Sequence, residues 1–79
     1  MAVKDDLVAS GLSLAQAETV IAFNAGTAVL ADLVVAGFSS LQANDISAVN
    51  AGTKTSDQLT QDGLWFGTQV PAIAAALAV

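Results

Sequence analysis

Leu33-Val-Val-Ala-Gly-Phe-Ser-Ser-Leu-Gln-Ala-Asn-Asp-Ile-Ser-Ala-Val-Asn-Ala-Gly-Thr53 repeats, 26 residues on, the segment Leu7-Val-Ala-Ser-Gly-Leu-Ser-Leu-Ala-Gln-Ala-Glu-Thr-Val-Ile-Ala-Phe-Asn-Ala-Gly-Thr27. Eleven of the 21 aligned positions are identical without a gap: 7/33, 8/34, 11/37, 13/39, 16/42, 17/43, 22/48, 24/50, 25/51, 26/52 and 27/53. A weaker third copy follows at the same step, with Leu59, Gly63, Leu64 and Ala74 where Leu33, Gly37, Phe38 and Ala48 place them. Self-similarity at a fixed period is the mark of a repeated supersecondary unit.

Each unit carries helical signals. Ser13 with Gln16, and Ser39 with Gln42, have capping-box spacing. Ala17, Val20, Ile21 and Asn24, then Ile46 and Val49, follow helical periodicity. Asn-Ala-Gly closes each longer helix, with Gly26 and Gly52 suited to a left-handed stop. Thr27 is placed to cap the next helix, about Ala28 to Ala36, which carries Val29, Leu30, Leu33 and Val34. Its polar counterpart runs from Lys54 to Asp62, opened by Thr55, Ser56 or Asp57. Pro71 is best tolerated in a first turn, so the last helix is expected to start near Gln69 or Val70 and run to the chain end. The expected fold is all-α: three 26-residue helical repeats, about five or six short helices, forming a small bundle or stub solenoid. Residues 1–79 make one domain, with units at about 5–30, 31–56 and 57–79. The repeated Ser, Gln and Asn serve as caps and hydrogen-bonding groups; one ligand site per unit is the alternative use of the same positions.

Composition narrows the function classes. The 79 residues are 54% hydrophobic and 11% charged, with a mean hydropathy of +0.66. A chain this short buries only about 60% of its unfolded surface. With no Cys, no disulfide staples it, and the redox compartment is left open. Lys4 and Lys54 are the only basic side chains against seven acids, a net charge of −5. Phosphate backbones are bound through clustered Lys and Arg, so no nucleic-acid partner is expected. The apolar run from Val70 to Val79 is half the roughly 20 residues a membrane span needs. A holin-like membrane protein is therefore a minor alternative. The first residues, Met-Ala-Val-Lys-Asp-Asp, lack the apolar stretch of a signal peptide.

Catalytic, metal and cofactor residues are all assigned as none. Without His or Cys there is no imidazole base, thiolate nucleophile or N/S metal site. Asp5 and Asp6 are expected at a helix start, and Glu18, Asp32, Asp45, Asp57 and Asp62 to be solvated. No calcium loop or phosphate-binding glycine motif is present. The chain is expected not to be an enzyme.

Trp65 and Phe66 replace the capping Ser of the third copy. They read either as a core plug or as an anchor in a subunit interface, where Trp is a favoured hot spot. The interface reading is preferred, since the final helix from Ala72 is apolar nearly all round and needs cover. The candidate interface is Leu12, Phe38, Leu64, Trp65, Phe66, Ile73 and Leu77.

Three resemblances bear on function. Gly37-Phe38-Ser39-Ser40-Leu41 is similar to the attachment loop of acyl and peptidyl carrier proteins, which implies a phosphopantetheine arm on Ser40 or Ser39. The same Gly-Phe turn, followed by a helix and Asn-Ala-Gly, resembles ubiquitin-associated domains over about Ala31 to Gly63. That resemblance implies a protein-binding adaptor, with Ala36 where those domains carry Met. The whole chain, acidic and rich in Ala, Val, Thr and Asn, resembles small bacteriophage virion proteins such as head decoration or tail accessory subunits. It implies a non-catalytic subunit of a symmetric shell or tube, located in the virion or otherwise cytoplasmic. Its partners would then be copies of itself or other virion proteins.

Overall fold

A computed structural model of the chain describes residues 3–77, and all the regular structure among them is helical. Six helices follow in order: α1 (Val3–Ala9), α2 (Leu14–Ala25), α3 (Leu30–Val35), α4 (Ser40–Asn50), α5 (Ser56–Asp62) and α6 (Gln69–Leu77). The expected extension of α6 over 78–79 falls outside the described residues.

The helix boundaries follow from caps. Ser13 Oγ accepts from the Gln16 N–H at 3.1 Å while Gln16 Oε1 accepts from the Ser13 N–H at 2.9 Å. Ser39 and Gln42 do the same at 3.1 and 3.0 Å, and Thr55 with Gln58 opens α5. Each pair satisfies helix N–H groups that have no partner inside the helix. Pro71 sits in the first turn of α6, where its missing N–H costs little.

Thr27 departs from expectation. Its hydroxyl donates back to the Ala22 carbonyl at 3.1 Å, finishing α2 rather than opening α3. The start of α3 is Val29, whose N–H is taken by the Asp32 carboxylate at 3.0 Å. The two residues between Thr27 and Val29 carry the chain out of the left-handed glycine. A hydroxyl bound backwards cannot also serve the next helix.

The short helices turn into the long ones through a tight glycine corner. The Leu12 N–H reaches the Leu7 carbonyl at 3.3 Å and the Gly11 N–H reaches Val8 at 3.1 Å. The Phe38 N–H to Leu33 and the Gly37 N–H to Val34 repeat this at 3.2 and 3.1 Å. This is the Schellman pattern, whose apolar contact between the outer residue and the last turn is here Leu12 on Leu7 and Phe38 on Leu33. Gly11 and Gly37 have φ of +113° and +115°, well outside the range of L side chains.

The core is built from equivalent positions. Leu7, Leu33 and Leu59, each 26 residues apart, are fully buried, as are Ala17 and Ala43 with Gln69 close behind. Around them, α6 packs against α1, α2, α4 and α5, and buries Val70, Ile73, Ala76 and Leu77. The cover that the apolar last helix requires is thus supplied within the chain. Polar side chains cross between helix pairs in a consistent direction. Gln16 Nε2 lies 3.2 Å from the place a β-carbon on Gly37 would occupy. Gln42 Nε2 donates to the Leu64 carbonyl at 3.0 Å, and Thr68 Oγ1 to the Ser10 carbonyl at 3.0 Å. Principal extents of 26 × 24 × 22 Å describe a rounded bundle rather than an elongated solenoid.

Two glycine substitutions separate the corner from an ordinary stop. Gly37→Ala is expected to cost about 2 kcal/mol and Gly26→Ala, at φ +84° with open space around it, about 1 kcal/mol. At about 4–8 °C per kcal/mol for a domain of this size, thermal unfolding followed by circular dichroism resolves the two. Equal shifts would count against a special role for the corner.

Candidate interaction surface

The candidate interface residues do not share a surface. Leu12, Phe38, Ile73 and Leu77 lie in the core. Leu64 and Trp65 are half-buried, and Phe66 is 72% exposed. Trp65 packs edge-to-face on Phe38 with ring centroids 5.7 Å apart. Its indole N–H donates to Asp45 Oδ2 at 3.2 Å. It therefore ties the loop after α5 to α4, as a plug does.

Asp45 is a correction to the expectation of solvated acids: it is 5% exposed. Its Oδ1 accepts from Lys54 Nζ at 2.5 Å, and the same ammonium donates to Asp62 Oδ2 at 2.6 Å. A carboxylate can be kept out of water only if it is paired and hydrogen-bonded. Lys54 and the Trp65 indole supply that pairing. Hydrogen bonds to Asp45 and then Asp62 raise the Lys54 pKa above its ordinary 10.5. The hydrogen bond from Lys54, reinforced by Asp45, lowers Asp62 below 3.8. The sequence signal for this cluster was the need of a lone Trp N–H for an acceptor and of a lone Lys for acids nearby. By contrast, Glu18, Asp32 and Asp57 are exposed as expected, and Lys4 stands 3.8 Å from Glu18 at the surface.

The Lys54 bridge closes a groove of about 400 Å³ lined by Leu41, Asn44, Asp45, Lys54, Asp62 and Leu64. A second groove, of about 470 Å³, lies between α2 and α3 and is lined by Ala15, Glu18, Thr19, Ala22, Ala28, Asp32, Val35 and Ala36. Five of these positions stand 26 residues before lining positions of the first: 15/41, 18/44, 19/45, 28/54 and 36/62. Both grooves occupy the same place in the local architecture, but Thr19, Ala28 and Ala36 stand where the other has Asp45, Lys54 and Asp62. One is closed by an ion bridge and the other is apolar and open.

Exposed apolar side chains gather on α3. Val29, Leu30, Val34 and Val35 face solvent, Val35 at 86%, and of this helix only Leu33 enters the core. Their periodicity marked a helix but not which side of it would be covered.

Groups suited to other chemistry are sparse. Ser39 Oγ is engaged as the α4 cap, and Ser40 is exposed in the first turn of that helix. The Gly-Phe turn points Phe38 inward, at 3% exposure. Among the described residues no group of three or more acids is arranged to hold a metal ion, and no helix is long and apolar enough to cross a membrane.

The ion bridge has a defined pH window. Asp62, with its pKa lowered by folding, contributes stability above about 3.8 that is lost as pH falls through its folded value. Lys54, raised by folding, contributes below 10.5, and this is lost as pH rises through its folded value. Urea unfolding monitored by Trp65 fluorescence is expected to show a plateau between these limits, with Asp62→Asn making the acid limb shallower. Asp45→Ala, which strands the indole N–H, is expected to cost about 1–3 kcal/mol at pH 7. An Asp45→Ala loss no greater than that of Asp62→Ala would show that burial of Asp45 carries no special weight.

Comparison of the chain with protein-family models, with curated proteins and with solved structures finds no match, so function is argued from the geometry above.

Proposed function

We propose that this chain is a non-catalytic structural subunit, held in a larger assembly through the outer face of α3. The observation that carries the proposal is the row Val29, Leu30, Val34 and Val35, four large apolar side chains exposed on a six-residue helix. A contiguous apolar face on a small acidic chain favours burial against another surface. The core, by contrast, is covered by the chain's own helices and needs no partner.

The architecture we propose beneath this face is three 26-residue units, each a short helix, glycine corner and long helix, closed on one another. The identical burial of Leu7, Leu33 and Leu59 supports it, as do the matching corners at Gly11 and Gly37. The contacts from Gln16, Gln42 and Thr68 to the next corner, the last returning to Ser10, support closure of the third unit on the first. The setting that fits such a subunit is the shell or tube of a bacteriophage particle, on the resemblance of composition described above.

The expected behaviour is a chain that enters a complex or oligomer through α3. Leu30→Ser with Val35→Ser is expected to abolish that association while changing stability by no more than about 1 kcal/mol, since exposed substitutions are usually near neutral. Sedimentation velocity on the source material and on the purified chain reads this directly. A stable monomer that joins no particle, in both variant and parent, refutes the proposal.

A further inference from the structure

We propose that the open α2–α3 groove is a docking site for a segment of a different protein that presents a Lys or Arg beside apolar residues. The inference rests on the subunit role proposed above, and identifies the partner's chemistry.

The groove has an apolar floor of Ala15, Ala22, Ala28, Val35 and Ala36, with two acids, Glu18 and Asp32, among its lining residues. It opens beside the exposed row on α3, and Val35 belongs to both. A basic side chain fits such a place well. Its methylene stem lies along apolar surface while its charged head meets carboxylate.

The chain itself contains an example of this filling. In the equivalent groove, Lys54 stands at the position of Ala28 and bridges two carboxylates across the opening. The α2–α3 groove has two acids of its own but Ala28 in place of the lysine. Removing a long cationic side chain from such a position leaves room of about its own cross-section, and leaves negative potential unmatched.

A second copy cannot readily supply the missing cation. The two basic side chains of the chain, Lys4 and Lys54, already lie against Glu18 and against Asp45 with Asp62. Copies of net charge −5 also repel one another at low salt. Charge complementarity therefore selects a basic partner segment over self-docking through this groove.

The test uses the intact chain, labelled with nitrogen-15, and two synthetic helical dodecapeptides, one of Leu and Lys and the other with every Lys replaced by Glu. The Leu/Lys peptide is expected to shift amide resonances of Ala15, Ala22, Ala28, Val35 and Ala36, with affinity falling at least tenfold between 50 and 500 mM salt. The Leu/Glu peptide is expected to leave them unmoved. Two variants then address the groove. Glu18→Gln is expected to weaken the Leu/Lys peptide several-fold. Thr19→Asp with Ala28→Lys and Ala36→Asp rebuilds the Lys54 bridge in the open groove, and is expected to abolish binding. Should that triple variant unfold, Ala28→Lys alone serves, because Ala28 is half-buried at the edge of the groove.

Equal shifts with the Leu/Glu peptide, shifts mapping elsewhere, or full binding by a folded Ala28→Lys chain would each overturn the proposal. So would concentration-dependent shifts at the same residues in the absence of peptide, which would make a second copy the occupant. Failure here leaves sedimentation of the Leu30→Ser, Val35→Ser variant as a separate measure of the subunit role. Conversely, a monomeric chain that still binds the basic peptide would remove the assembly and keep the groove.

Discussion

The glycine corner between a short and a long helix is the constraint on which the rest of this structure depends. Gly11 and Gly37, at φ near +114°, let the chain reverse fast enough for the following apolar residue to bond back to the leucine five positions earlier. That bond sets Leu12 and Phe38 into the core beside Leu7 and Leu33. One residue further on, Ser13 and Ser39 then stand with extended backbone, as an N-cap must. A single dihedral choice thus fixes the end of one helix, a core residue and the start of the next. The third corner is looser. The Gly63 N–H reaches Thr60 only at 3.4 Å, and no capping Ser follows. There Trp65 closes the turn by stacking on Phe38 and bonding Asp45.

This substitution of one device for another accounts for a chain that has no covalent staple. A small domain gains little from its core alone. Here the seam after α4 is fastened by three polar contacts centred on Asp45, and the loop before α6 is fastened by Phe66 N–H to Gln69 and Thr68 to Ser10. None of these residues repeats in the first two units. Fastening is therefore concentrated where the 26-residue pattern weakens, as expected if departures from the pattern were kept for what they hold.

Much of the fold was legible because helix ends are written locally. Ser with Gln three positions on, Gly after Asn-Ala, and Pro in a first turn each act through groups within a few residues. The expected start near Gln69 and both serine capping boxes agree with the structure on that basis. Thr27 was less legible because its hydroxyl has two carbonyl and amide choices of similar reach, and only the path out of Gly26 decides between them. The candidate interface was least legible of all. Leu12, Phe38, Ile73 and Leu77 are large and apolar, which a core requires as much as a contact surface does. Hydrophobicity alone does not tell those uses apart. Which of them a residue serves depends on which helices surround it, and α6 has four neighbours where α3 exposes one whole side.

The two grooves make the same point in reverse. Their lining positions correspond, so backbone geometry offers each the same opening, and side chains alone decide whether it stays open. Closing it takes a lysine long enough to span the gap and two carboxylates to hold it. Each of these groups must give up hydration and rotamer freedom to do so. The α4–α5 groove meets that requirement because Asp45 is buried and Trp65 shares its charge. The α2–α3 groove has alanine and threonine at the bridging positions, groups that lose little on being covered and hold nothing in place. A surface of that kind gains from an added partner in proportion to the water it sheds, and the cation that completes it can come from outside as well as from within. The seam the chain leaves unfastened is thus the one at which binding costs it least.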